Sequence, residues 1–267
     1  VSTPATTPRG LHPTEEVIVT GLATFERRVA SPEATLICVH GGLDRGGSFA
    51  RIARRSERFD VLAYDRRGYH ASRGLTPLSL SAHIDDLLAL SAWARTRGPV
   101  VVLGHSYGGV VAYGAAVMSD EVASLVVGYE TPVNWLYDND RNYGTLRPAP
   151  GDEAESFFRR MVSDGAWERL SDAERASRRA DGPALVDDLL TLRGEAPFSL
   201  ADIRVPSTYV YGDSHRLDHH RLLAERLESV SPLMRCRQLT HAGHGAHLST
   251  PDQLLAAVTT EWDERCA

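Results

Sequence analysis

The sequence predicts an α/β protein built on one mostly parallel sheet with helices on both faces. Three observations carry this. Short, uninterrupted apolar runs at 35–39 (TLICV), 61–64 (VLAY), 100–103 (VVVL), 125–127 (LVV) and 208–211 (TYVY) have the length of strands and lack polar alternation, as strands buried on both faces require. Helix-sized segments separate them; the clearest is 80–96, where Leu80, Ile84, Leu87, Leu88 and Ala92 recur at helical spacing with Asp85 and Asp86 on the other side. Strand and helix alternate from about residue 34 to 130 and again from about 205 to the end, the rhythm of a parallel sheet.

Taken in order, residues 1–14 begin with a Thr/Pro-rich stretch and are expected to form a flexible leading segment. Residues 17–19 and 25–29 read as a short hairpin around Gly21. The core domain is expected to span 15–130 and 203–267. Between these parts, 131–202 breaks the alternation: 155–161, 171–180 and 184–192 look helical, Ser171 and Glu174 form a capping-box pattern, and no strand-like run occurs. An insertion of this length is expected to be a helical cap over the sheet's C-terminal edge rather than a plain crossover.

Composition narrows the function. With 42% hydrophobic and 24% charged residues the chain is neither disordered nor collagen-like. A net charge of −6 gives no general attraction to nucleic acid or anionic membranes. All 29 basic residues are arginine, which excludes Schiff-base lysine chemistry and a lysine-based phosphate loop. Cys38, Cys236 and Cys266 are odd in number and far apart, so they read as small packing residues rather than a disulfide framework. No run approaches a membrane span. A soluble, cytoplasmic location is the expectation; the start at Val1 leaves room for a removed export signal.

The chemistry-bearing pattern is Gly104-His105-Ser106-Tyr107-Gly108-Gly109, a G-x-S-x-G between the buried run 100–103 and a small-residue helix beginning near Val110. Strand, sharp turn and helix are what a nucleophile elbow requires: the serine hydroxyl stands at a helix N-terminus, where backbone N–H groups favour developing negative charge. His40-Gly41-Gly42-Leu43 leaves the end of another buried run and can aim a second N–H at an oxyanion, with Tyr107 N–H as the first. Gly243-His244, before the terminal helix, is where a general base could swing over the serine.

With these pieces and Tyr64-Asp65-Arg66-Arg67-Gly68, the sequence resembles the α/β-hydrolase superfamily over roughly residues 15–265. The resemblance implies the α/β-hydrolase fold with a helical cap. It implies Ser106 as nucleophile, His244 as base, and the amides of Gly42 and Tyr107 as oxyanion hole, Leu43 being the second choice to Gly42. The acid departs from the commonest family pattern, because His215 occupies its usual place in Tyr211-Gly212-Asp213-Ser214-His215. Some branches place it at the end of the strand after the nucleophile helix, where this chain has Glu130, 24 residues beyond Ser106. Glu130 therefore ranks first, Asp213 second and Asp218 third. Candidate pocket residues are His40, Leu43, His105, Trp135 and Tyr143, with Tyr137 lining the pocket or packing the cap.

The expected activity is cofactor-free, metal-free hydrolysis of a small ester, lactone or thioester through an acyl-enzyme. A carbon–carbon bond hydrolase or acyltransferase with the same triad is the alternative, and a noncatalytic ligand receptor on this scaffold the further one. His215, His219 and His220 with Asp213 and Asp218 lack zinc spacing and read as a solvated helix entry; His70 and His83 read as surface or satisfied polar residues, and the Asp65–Gly68 segment as a structural turn.

Overall fold

Each continuous apolar run becomes a strand whose alternate side chains enter two different cores. In the computed structural model, which describes residues 10–136 and 152–266, Ile37 and Val39 pack on one face with Val100 and Val102, while Leu36 and Cys38 pack on the other with Val101 and Leu103. This is the period-2 consequence of a strand covered on both sides.

In chain order the strands are β1 (His12–Pro13), β2 (Thr24–Arg27), β3 (Ala34–Val39), β4 (Phe59–Tyr64), β5 (Val100–His105), β6 (Leu125–Tyr129), β7 (Ser207–Gly212) and β8 (Met234–Leu239). The helices are α1 (Ala50–Arg55), α2 (Leu80–Arg95), α3 (Tyr107–Met118), α4 (Glu153–Met161), α5 (Asp164–Glu168), α6 (Asp172–Ala180), α7 (Gly182–Arg193), α8 (Leu217–Val230), α9 (Ala246–Ser249) and α10 (Pro251–Arg265). The sheet runs β1-β2-β4-β3-β5-β6-β7-β8, with only the β1–β2 and β2–β4 pairings antiparallel. Residues from α2, α3 and α8 pack into one core, and residues from α1 and α10 into the other.

Three expectations are corrected. The first hairpin arm lies at His12–Pro13 rather than 17–19: Val17 is 79% exposed, while Ile18 and Val19 reach the core from a non-strand segment. Pro13, which has no N–H to donate, is tolerated there because β1 is the sheet's edge. On α2, Asp86 is buried and Ala92 exposed, because the Arg67 guanidinium forks onto Asp86 at 2.6 and 2.7 Å and removes the cost of burying its charge. His220 on α8 is buried, not solvated.

Between β6 and β7 the regular elements of the described residues are helices and two 3-10 turns, with no strand, and α6 carries the expected capping box at Ser171 and Glu174. Ala154, Phe158, Trp167 and Leu185 of this insertion gather around Leu43, just beyond the C-terminal end of β3. No helix among the described residues is long and apolar enough to cross a membrane.

Candidate functional site

Ser106 sits between β5 and α3 at φ 52° and ψ −124°, a strained conformation held by its surroundings. Its N–H donates to the Tyr129 carbonyl at 2.9 Å. The crossing is possible because Gly108 has no side chain: a Cβ there would run into the Val39 carbonyl of the neighbouring strand. The loop after β3 comes equally close, since a Cβ on Gly41 would lie 3.0 Å from Ser106 Cβ.

Glu130 follows β6 with φ 44°, and its N–H is tied to the Val210 carbonyl at 2.8 Å. Its side chain is 3% exposed and meets His244, with Oε2 accepting from Nδ1–H at 2.7 Å. The second oxygen accepts the Gly212 N–H at 3.1 Å and lies 3.7 Å from Nε2 of His220. Burial alone would raise the Glu130 carboxyl, but the hydrogen bond and charge of His244 outweigh it and hold the group below its ordinary value. The loop carrying His244 is anchored by the Tyr129 hydroxyl, which donates to the Gly243 carbonyl at 2.7 Å. His105 donates through Nε2–H to the His244 carbonyl at 2.8 Å, and the two rings lie 4.8 Å apart. Glu130, His244 and the elbow of Ser106 are thus gathered at one end of the sheet.

Asp213 and Asp218 do not join them. Asp213 accepts from the neighbouring Ser214 hydroxyl at 3.4 Å, and Asp218 is exposed in the first turn of α8. Neither of the two loop amides weighed for an oxyanion, Gly42 N–H and Leu43 N–H, has a backbone acceptor among the described residues, and nor does Tyr107 N–H.

The pocket candidates divide. Leu43 stays with the insertion cluster over the β3 loop. His40 is fully buried beneath that loop rather than lining a pocket: Nδ1–H donates to the Gly41 carbonyl at 2.7 Å and Nε2 accepts the Arg66 N–H at 2.8 Å. Burial, then the Arg66 charge, push its pKa down to about 4. Trp135 packs against Phe198 and the main core, with ring centroids 5.3 Å apart, so it is a packing residue. His105 is a buried scaffold side chain; burial and the neighbouring His247 keep it well below the ordinary histidine value. Tyr137 and Tyr143 lie outside the described residues.

The His105 and His247 rings lie 4.2 Å apart, tilted by 41°, and the potential ligand atoms of Asp44, His105 and His247 lie within 4.8 Å of one another. Within this cluster Asp44 Oδ2 lies 3.3 Å from His247 Nε2. The Asp65 turn is structural as expected, with Asp65 holding Gly46 N–H at 2.8 Å and His70 at 2.9 Å.

Sequence reasoning missed Asp188 and misread His220 as solvated. Asp188 follows the buried Ala184 and Leu185 by four and three residues, which puts it on the apolar face of α7; His220 precedes Leu223, Ala224 and Leu227 in the same way on α8. A polar residue on an apolar stripe was the available signal.

Residues 36–258 match the model of the alpha/beta hydrolase family. The chain belongs to that family. One relative, lipase LipV of Mycobacterium tuberculosis, is 35% identical over 103 residues, 38% of this chain and 39% of that protein. The chain spans less than half the length of the curated relatives it matches. Among solved structures, an alpha/beta hydrolase from Sphaerobacter thermophilus superposes with a TM-score of 0.69 at 21% identity, covering 94% of this chain and 99% of the other. The thioesterase domain from the curacin biosynthetic pathway gives 0.63 at 20% identity, covering 94% and 98%. These likenesses establish the shared fold.

Proposed function

We propose that this hydrolase-family chain cleaves an ester-type bond, carboxylic ester, lactone or thioester, through an acyl-enzyme on Ser106, without a cofactor. The observation that carries the reading is the buried Glu130 carboxylate on His244 Nδ1 at 2.7 Å, which fixes the tautomer that leaves Nε2 as a base beside the serine elbow. His244 takes the Ser106 proton as Oγ attacks the carbonyl, and Glu130 stabilises the imidazolium. The Gly42 and Tyr107 amides receive the oxyanion. His244 then returns the proton to the leaving group, and water repeats the cycle to release the acid. The described residues of the insertion, 131–136 and 152–202, act as a cap over this site, a role supported by the packing of the inserted helices on Leu43 and near Gly42. The ester class is supported by the relatives named lipase and thioesterase.

The test is a panel of p-nitrophenyl esters of increasing acyl length, lactones and thioesters, run with the parent and Ser106→Ala, beside intact mass after fluorophosphonate treatment. The expected result is turnover and a single mass shift in the parent and neither in Ser106→Ala. Label on another residue with Ser106 unmodified overturns the proposal.

A further inference from the structure

One guanidinium sits under the loop that carries Gly42, and all five of its N–H donors are used. Arg66 Nε–H donates to the His40 carbonyl at 2.9 Å and an Nη2–H to the Gly41 carbonyl at 3.2 Å. Both Nη atoms fork onto Asp188 at 2.6 and 3.1 Å, and the remaining Nη1–H reaches His83 Nε2 at 3.1 Å. The Tyr69 and Tyr107 rings lie 4.7 and 4.9 Å from the guanidinium carbon. Arg66 and Asp188 are both essentially buried, so neither charge has water as an alternative partner.

A trans peptide carries its C=O and N–H on opposite sides. The Gly41 carbonyl is turned inward by Arg66 and by His40 Nδ1–H, so the Gly42 N–H of the same peptide is turned outward, and Gly41 lies against Ser106. Asp188 has a second tie beside the loop: the Tyr69 hydroxyl donates to its Oδ2 at 2.6 Å. A tie on the loop itself is Arg178 of α6, donating to the Leu43 carbonyl at 2.8 Å. Asp188 itself comes from α7, in the insertion, and its Oδ2 would be 3.7 Å from a Cβ on Gly42.

We infer that Asp188 is a positioning residue for the oxyanion site: carried on α7, it holds Arg66, Arg66 holds the Gly41 carbonyl, and the Gly42 N–H is thereby kept facing Ser106. The site is assembled only while α7 sits on the core. The catalytic consequence rests on the serine-hydrolase reading; the coupling of α7 to the loop does not.

Asp188→Asn keeps the shape and removes the charge, and Tyr69→Phe removes a single O–H. Hydrogen exchange should be faster by about tenfold in peptides covering residues 40–44 of Asp188→Asn, with β5 peptides unchanged. In the same variant kcat should fall by about 10²-fold with KM within roughly threefold, and a boronic acid, whose tetrahedral adduct puts an oxygen in the oxyanion site, should weaken in proportion to kcat. Unchanged exchange at 40–44 overturns the inference, as does a rise in KM with kcat intact. Should Asp188→Asn not fold, the exchange of Tyr69→Phe decides in the same way. A parent that takes no label at Ser106 would end the hydrolase reading, while the exchange result would still decide the coupling.

Discussion

Two carboxylates at the C-terminal edge of the sheet are equally hidden from water and differ in what faces them. Glu130 faces His244, whose side chain is 29% exposed and can gain or lose a proton; Asp188 faces Arg66, which is fully buried and permanently charged. A carboxylate opposite an imidazole stabilises a charge that comes and goes. One opposite a guanidinium sits in a fixed pair, and what that pair fixes is the backbone. The first arrangement suits proton transfer and the second suits holding a loop still. Burial alone does not separate them; the partner does.

The largest effect should come from the first pair. Glu130→Gln leaves its shape and loses the charge that supports the imidazolium, so kcat should fall by roughly 10⁴-fold while the melting temperature stays near the parent's. Ester hydrolysis beside thermal denaturation measures both. A loss under tenfold, smaller even than that expected of Asp188→Asn, would leave Glu130 as a structural carboxylate.

The second pair should answer in stability. Arg66→Leu strands Asp188 as a buried charge and should cost about 3–5 kcal/mol in urea unfolding, whereas replacing both residues by leucine should recover much of it. His244→Ala should cost less than about 1 kcal/mol, because Glu130 keeps the Gly212 N–H and gains water through the exposed side of the site. Equal losses in Arg66→Leu and His244→Ala would erase the distinction.

Below these comes a pH effect beneath the oxyanion loop. His40 is buried neutral with a pKa of about 4 against an ordinary 6.5. Between those values the unfolded chain binds a proton that the folded one refuses, so stability rises with pH through this window. The penalty is fully developed below pH 4 and gone above 6.5, amounting to about 3 kcal/mol. His40→Asn should be less stable at neutral pH through its lost backbone bonds and should flatten this slope. A parent whose unfolding free energy is level from pH 7 to 4.5 would contradict it. Glu130 acts further down: held below its ordinary 4.5, it contributes above that value and is lost as pH falls through its folded one.

Selectivity should shift by less. Phe157 of α4 would lie 3.7 Å from a Cβ on Gly42, so Phe157→Ala should change the ratio of long-chain to short-chain ester rates by about tenfold. An unchanged ratio would separate the insertion from substrate choice.

The sheet could be read from the sequence because its strands are covered on both faces and so appear as unbroken apolar runs. β8 could not be listed among them, since the side chains of this sheet edge include Arg235, Arg237 and Gln238 beside buried Met234 and Leu239. Ser106, His244 and Glu130 could be picked out because each stands at the end of a recognisable strand or in a glycine-marked loop. The Arg66–Asp188 pair could not, as it joins residues 122 positions apart and nothing local in either helix or turn announces the other. Periodicity does mark Asp188 as a carboxylate on an apolar face; it gives no way to name the guanidinium that compensates it.

The smallest effect is expected at Asp213, the residue nearest the acid's commonest place. Its side chain is half-buried, it accepts from Ser214 at 3.4 Å, and the loop between β7 and α8 leaves it without a bond to His244. The Gly212 N–H, one residue earlier, already serves Glu130, so this loop contributes a backbone donor to the carboxylate instead of a carboxylate to the imidazole. Asp213→Asn therefore removes a charge near the site without removing a partner from it, and kcat should change by less than about threefold, with the pH profile unmoved. A loss comparable to that of Glu130→Gln, or a pH profile shifted by Asp213→Asn alone, would move the acid back to the loop after β7 and leave Glu130 as the buried structural carboxylate.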